Sequence, residues 1–202
     1  MLNKKILGLL LIGCSIVAYT TPSFAMMSIP YGWYVEANAG SAHVSHQDNV
    51  NGVNKSSSGL GGGVNAGYKF IPFLGIEVGY TQYPIVAWKQ SSTSTKFGND
   101  KYYSYDLVAK GILPMMDSGL EFFAKAGLGH LVSHLSITNN DIAQSLGLSN
   151  VTHSSTGLTI GGGLQYYFLP EVAVVAQWVR VQGNSQTGYE ELLSGGLSVI
   201  IA

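Results

Sequence analysis

Two glutamates and two lysines carry the most definite chemistry in this sequence. Glu36, Glu77, Lys110 and Lys125 stand on the polar parity of stretches that otherwise alternate between apolar and small or polar residues. Each lies about four or five residues from a break in its stretch; Lys110, for example, is four residues before Pro114. At ~3.3 Å per residue in an extended chain, all four reach a similar height, ~13–17 Å from the breaks. Two carboxylates and two ammonium groups at one level of a narrow interior are expected to pair, because an unpaired buried charge costs several kcal/mol. Asp106 belongs to the same group one layer higher, while Lys69 and Glu121 lie lower, near the mouth. Such a cluster has three uses: a fixed plug of salt bridges, a gate that swaps partners to pass ions, or a carboxylate pair for acid–base catalysis. Burial away from substrate weighs against the last.

Other residue types offer less. The five histidines are His43, His46, His130, His134 and His153. His43-x-x-His46 and His130-x-x-x-His134 present imidazole pairs of the kind that bind Zn²⁺ or Cu²⁺. No helix orients them, and solvated histidines titrating near neutrality are the competing reading. Gly61-Gly62-Gly63 and Gly161-Gly162-Gly163 lack the following helix that a phosphate-binding loop needs, and they read as strand packing. No cofactor, metal or catalytic site is expected.

The elements that position the cluster follow from the parity. In 74–83, Leu74, Ile76, Val78 and Tyr80 share one face and Gly75, Glu77, Gly79 and Thr81 the other. A period of two is a β-strand with two chemically different faces. The pattern predicts eight strands, at 32–42, 59–70, 74–83, 101–113, 120–131, 156–168, 172–182 and 190–202. Three connections are short and contain a proline: 71–73, 114–119 and 169–171. Four are longer and polar: 43–58, 84–100, 132–155 and 183–189. In the third of these, Asp141 to Leu148 has the makings of a short helix capped by Asn139 or Asn140. Charges sit on one parity and bulky apolar groups on the other, which predicts an all-β, eight-stranded antiparallel up-and-down transmembrane barrel, greasy outside and polar within. Residues 59–72 and 157–170 also align without gaps at an offset of 98, matching Tyr68-x-Phe70 with Tyr166-x-Phe168 and Pro72 with Pro170. Shared physical demand explains that echo.

Composition agrees. Of the 202 residues 46% are hydrophobic and only 10% are charged, against roughly 25% charged in a typical soluble domain. No stretch after residue 25 has the ~18 consecutive apolar residues of a membrane helix. A closed barrel is the other way to satisfy every backbone polar group in lipid. A net charge of −1 implies no nucleic-acid partner. A soluble barrel with its apolar parity turned inward is the competing architecture.

The N-terminus reads as a cleaved secretory signal over 1–25, leaving a barrel domain over 26–202. Lys4 and Lys5 are its basic region, Ile6 to Ala18 its apolar core, and Ser23-Phe24-Ala25 its cleavage site. The single cysteine, Cys14, falls inside it, so the remainder has neither disulfide nor thiolate chemistry. Leu11-Ile12-Gly13-Cys14 also looks like a lipobox.

With the signal, the strand count, the alternating connection lengths and stretches such as Leu74-Gly-Ile-Glu-Val-Gly-Tyr80, residues 26–202 resemble the small eight-stranded outer-membrane barrels. These are the transmembrane domain of OmpA, OmpX and the opacity-type proteins. Family members usually end in Phe with Tyr two residues earlier, a signal for the assembly machinery; here Val199 and Ile201 hold those places. The resemblance implies a bacterial outer-membrane location and a role in envelope integrity or contact with host cells. It implies lipids, lipopolysaccharide and the barrel-assembly machinery as partners, with surface ligands reached through loops 43–58, 84–100 and 132–155. Trp33, Tyr68, Phe70, Phe122, Tyr166, Phe168 and Trp178 would form the aromatic girdles at the lipid interface. Arg180, on the outward parity near the rim, suits lipopolysaccharide phosphates or simple snorkelling. Some such barrels are lipid A deacylases with His-x-Ser and then Asn on a strand. His134-Leu135-Ser136 is followed by Ile137, and no Glu is placed to orient the histidine. The expected function is structural or interactive, with a small channel for ions or hydrophobic molecules as the alternative and a lipid A-modifying enzyme a weaker one.

Overall fold

Among the described residues ten strands form one antiparallel sheet that closes on itself. The structure, a computed structural model, describes residues 29–45, 53–55, 58–90, 96–115, 118–137, 150–184 and 187–201. Eight long strands make the barrel: β1 (Gly32–Ser45), β3 (Ser58–Ile71), β4 (Leu74–Gln82), β6 (Lys96–Pro114), β7 (Leu120–Ile137), β8 (Val151–Leu169), β9 (Val172–Gln182) and β10 (Tyr189–Ile201). Their order is β6-β4-β3-β1-β10-β9-β8-β7, and β7 pairs back onto β6. Two short strands, β2 (Val53–Lys55) and β5 (Val86–Gln90), extend the upper end as a ribbon beside β6. No helix long and apolar enough to span a membrane occurs among the described residues.

The expected parity holds. Trp33, Val35, Val64, Ile76, Val78, Leu107, Phe122, Leu128, Val174 and Leu197 are exposed on the outer wall, while Tyr34, Glu36, Glu77, Lys110 and Lys125 are buried inside. A soluble barrel with its apolar parity inward is therefore excluded. The predicted signal at 1–25 and the possible helix at 141–148 lie outside the described residues, as does His46.

The strand ends differ from expectation on one side only. Part of each expected loop is strand: 43–45, 53–55, 58, 86–90, 96–100, 132–137, 151–155 and 189. The physical reason is a reversal of the pattern. In the lower barrel the outward side is apolar. Above Leu128, Leu193 and Trp178 the outward side becomes His130, Glu191 and Arg180, while the inward side becomes Leu131, Leu135, Val44 and Leu192. Outward residues there meet water rather than hydrocarbon. The alternation continues with its sign inverted, so a search for one consistent apolar face ends the strands early.

The core fills the barrel interior in layers. At the lower mouth Tyr34, Tyr167, Ala173 and Ile200 cluster. At the upper end ten buried residues, among them Val44, Tyr83, Trp88, Tyr102, Leu131 and Leu192, form an apolar cap. An eight-stranded barrel is just wide enough for side chains to fill. The charged cluster lies between these layers.

Candidate functional site

Four strands contribute to the charge ring. Glu36 comes from β1, Glu77 from β4, Lys110 from β6 and Lys125 from β7. Lys110 and Lys125 stand directly opposite each other on the β6–β7 ladder. Like charges so placed are destabilising, and here each reaches across to both carboxylates. Lys125 Nζ lies 2.5 Å from Glu77 and 3.9 Å from Glu36. Lys110 Nζ lies 3.7 Å from Glu77 and 3.8 Å from Glu36. All four side chains are buried.

Neutral partners complete the ring. The Tyr34 hydroxyl donates to Glu77 Oε2 at 2.8 Å. Asn65 and Gln177 donate to Glu36 Oε1 at 3.0 and 2.7 Å, and Asn38 at 3.4 Å. Lys110 donates to Gln165 Oε1 at 3.1 Å and lies 4.3 Å from the centre of the Phe123 ring. Gln165 donates in turn to Glu121, which pairs with Lys69 at 2.6 Å. The lower pair and the ring are thus one network. Gly67 matters locally, because a Cβ there would strike the Tyr34 ring that reaches Glu77.

Asp106 stands apart. It faces the lumen above the ring, beside Asn65 and over Gly79, and it forms no ion pair among the described residues. The amides Asn65, Gln165 and Gln177 were not singled out from sequence. Their inward parity was the available signal, but amides carry no charge to mark them.

A second polar group sits in the upper barrel. Asp100 accepts hydrogen bonds from Tyr102 at 2.7 Å and Ser133 at 2.9 Å. Glu190, 0% exposed, has neither carboxyl oxygen bonded among the described residues. Its register partners are Val44 and Val181, both of the apolar cap. Burying an unbonded polar group is costly. Glu190→Met is therefore expected to raise the urea-unfolding stability by about 1–3 kcal/mol. A loss of that size would mean that the carboxyl is bonded in the folded protein.

On the outer wall, Trp33 and Tyr68 pack edge to face at 5.2 Å, and Tyr68 and Phe70 at 5.0 Å. Phe122, Phe168 and Trp178 are exposed there, with Tyr166 half-buried. Tyr80, Tyr103 and Tyr105 form an upper aromatic group with centroids 5.3–6.2 Å apart. Arg180 lies 3.6 Å from Glu191 and 3.8 Å from the centre of the Tyr189 ring.

His134 and Ser136 stand on β7 rather than in a loop, facing outward. His134 Nδ1 contacts the Thr152 hydroxyl at 2.7 Å, and His130 Nδ1 that of Thr156 at 2.9 Å. His43 pairs similarly with Ser58 at 2.9 Å. Among the described residues no three His, Cys, Asp or Glu converge as a metal site.

Known structures share this architecture. Neisserial surface protein A superposes with a TM-score of 0.59 at 23% identity, covering 84% of this chain and 97% of its own. The outer membrane protein OprG of Pseudomonas aeruginosa gives 0.57 at 15% identity, covering 88% and 100%. Ail, the attachment invasion locus protein of Yersinia pestis, solved with the heparin analogue sucrose octasulfate, gives 0.53 at 15%, covering 84% and 99%. At these identities the likeness concerns the fold. No curated protein matches the sequence. The outer membrane protein beta-barrel domain family matches residues 8–198. With an inverted wall, eight closed strands and that match over most of its length, the chain belongs to the outer membrane protein beta-barrel family.

Proposed function

We propose that this protein is a closed, non-enzymatic barrel of the bacterial outer membrane, exported by a signal over residues 1–25. Its work is done at its outer wall and at its extracellular end, not through its lumen. The observation that carries this reading is the buried Glu36–Glu77–Lys110–Lys125 ring, with an apolar layer on either side. An ion crossing the barrel would have to displace charges that already satisfy one another. The wall supports the interactive part. Above its apolar band, β6, β7 and β8 continue as a ribbon with polar outward residues. That ribbon carries the loops expected to meet surface ligands. Ail, similar in fold, carries attachment in its name. The outward aromatics would meet lipid at the two interfaces. Arg180, fixed by Glu191 and Tyr189 at the rim, suits a lipopolysaccharide phosphate.

Planar-bilayer conductance tests the closed lumen. The refolded protein is expected to be silent, and Lys110→Ala with Lys125→Ala is expected to open steady channels. Steady conductance by the unmodified protein would make a small pore the better reading.

A further inference from the structure

Two carboxyl groups are buried at the upper end of the lumen, and they are served differently. Asp100 has a donor at each oxygen, Ser133 at Oδ1 and Tyr102 at Oδ2. Glu190 has none among the described residues, and no ion pair includes it there. It stands on β10 beside Glu191, above the last apolar outward residue of that strand, so it lies outside the hydrocarbon band. Its side chain is buried inward, between Val44 of β1 and Val181 of β9.

The groups that face Glu190 oppose its ionisation. They are Asp100 and Tyr102 of β6 and Tyr83 just before β5, and none is a cation. From β7 the cap receives Leu131 and Leu135, both uncharged. His153 of β8 lies on the inward parity and forms no ion pair with Glu190. The charged neighbours in sequence point the other way: Glu191 pairs with Arg180 on the outer wall, and His43 bonds to Ser58 there. A carboxylate with neither donor nor counter-ion in apolar surroundings takes up a proton. Burial, with the Asp100 charge adding to it, pushes the Glu190 carboxyl up to about 10.

We propose that Glu190 is a proton-operated latch on the extracellular end of the barrel. Protonated, its side chain belongs to the apolar cap that joins β1, β5, β6, β7, β9 and β10 through Val44, Trp88, Tyr102, Leu131, Val181 and Leu192. When hydroxide takes the proton, the bare carboxylate draws water into the cap and loosens those strand ends. The end that carries the loops is therefore tight in acidic and neutral surroundings and slack in alkaline ones. The latch sits above the charge ring and does not depend on whether the lumen conducts.

The direction of the pH dependence tests it, being opposite to that of a salt-bridged carboxylate. The folded protein keeps a proton that the unfolded chain gives up above its ordinary value of 4.5. Stability is thus whole below that pH and falls as pH rises toward about 10. Urea unfolding of the refolded full chain is run beside Glu190→Gln, so that the other titrations cancel. The folding constant of the unmodified protein, divided by that of the variant, should fall about tenfold for each pH unit between about pH 5 and pH 9. Glu190→Met should show the same fall and serves if Glu190→Gln does not refold. Trp88, buried in the cap, reports the loosening. With Trp33→Phe and Trp178→Phe in the background, its emission should shift to the red as the pH passes about 10, and should stay put once Glu190 is replaced. A ratio that is flat or rises with pH overturns the latch. So does Trp88 emission that never moves, or that moves equally without Glu190.

Discussion

Glu77→Gln is expected to destabilise the protein by about 3–5 kcal/mol, because removing one partner of a buried ion pair leaves the other uncompensated. Glu77 is bound by Lys125 at 2.5 Å and by Tyr34 at 2.8 Å, with Lys110 at 3.7 Å. Without its charge, two adjacent lysines face Glu36 alone. Lys125→Met in the same background removes the surplus charge and should recover part of the loss. The coupling between the two sites should fall within about 0.5–3 kcal/mol, the range for residues in one network. Urea titrations of the four proteins measure it. Two small, additive effects would mean that water reaches the charges and that the ring holds nothing together.

Leu197→Arg is expected to cost about 2–4 kcal/mol when the protein folds into lipid vesicles, while Leu193→Arg costs about 0–1 kcal/mol. Both side chains point outward, at 52% and 61% exposure. Leu197 lies midway between Ile201 at the lower edge and Leu193, the last apolar outward residue before Glu191. A charge at mid-depth must leave water for hydrocarbon, whereas a charge one step below the rim can snorkel. Comparable small effects at the two positions would deny that the outer wall meets hydrocarbon.

The ring shows how far sequence reading reaches. Parity put Glu36, Glu77, Lys110 and Lys125 inside, and counting from the turns put them at one height. That Lys110 and Lys125 are neighbours on paired strands, with both carboxylates across the lumen, was not legible. Nor was the separation of Asp106 from the ion pairs of the described residues, or the burial of Glu190 without a bond among them. These depend on how far each strand slides against the next.

The sequence by itself determined the strand count, the alternation of short and long connections, and which side chains face in or out of the lower barrel. Those properties are local, because successive residues on a strand point to opposite faces whatever lies beside them. The tertiary structure alone decided which inward residues meet and how far the strands continue past the membrane. Cross-lumen contact follows from register and shear around the closed sheet, a property of all eight strands at once. The extension past the membrane was hidden because the outer solvent changes there from hydrocarbon to water, and the pattern inverts with it.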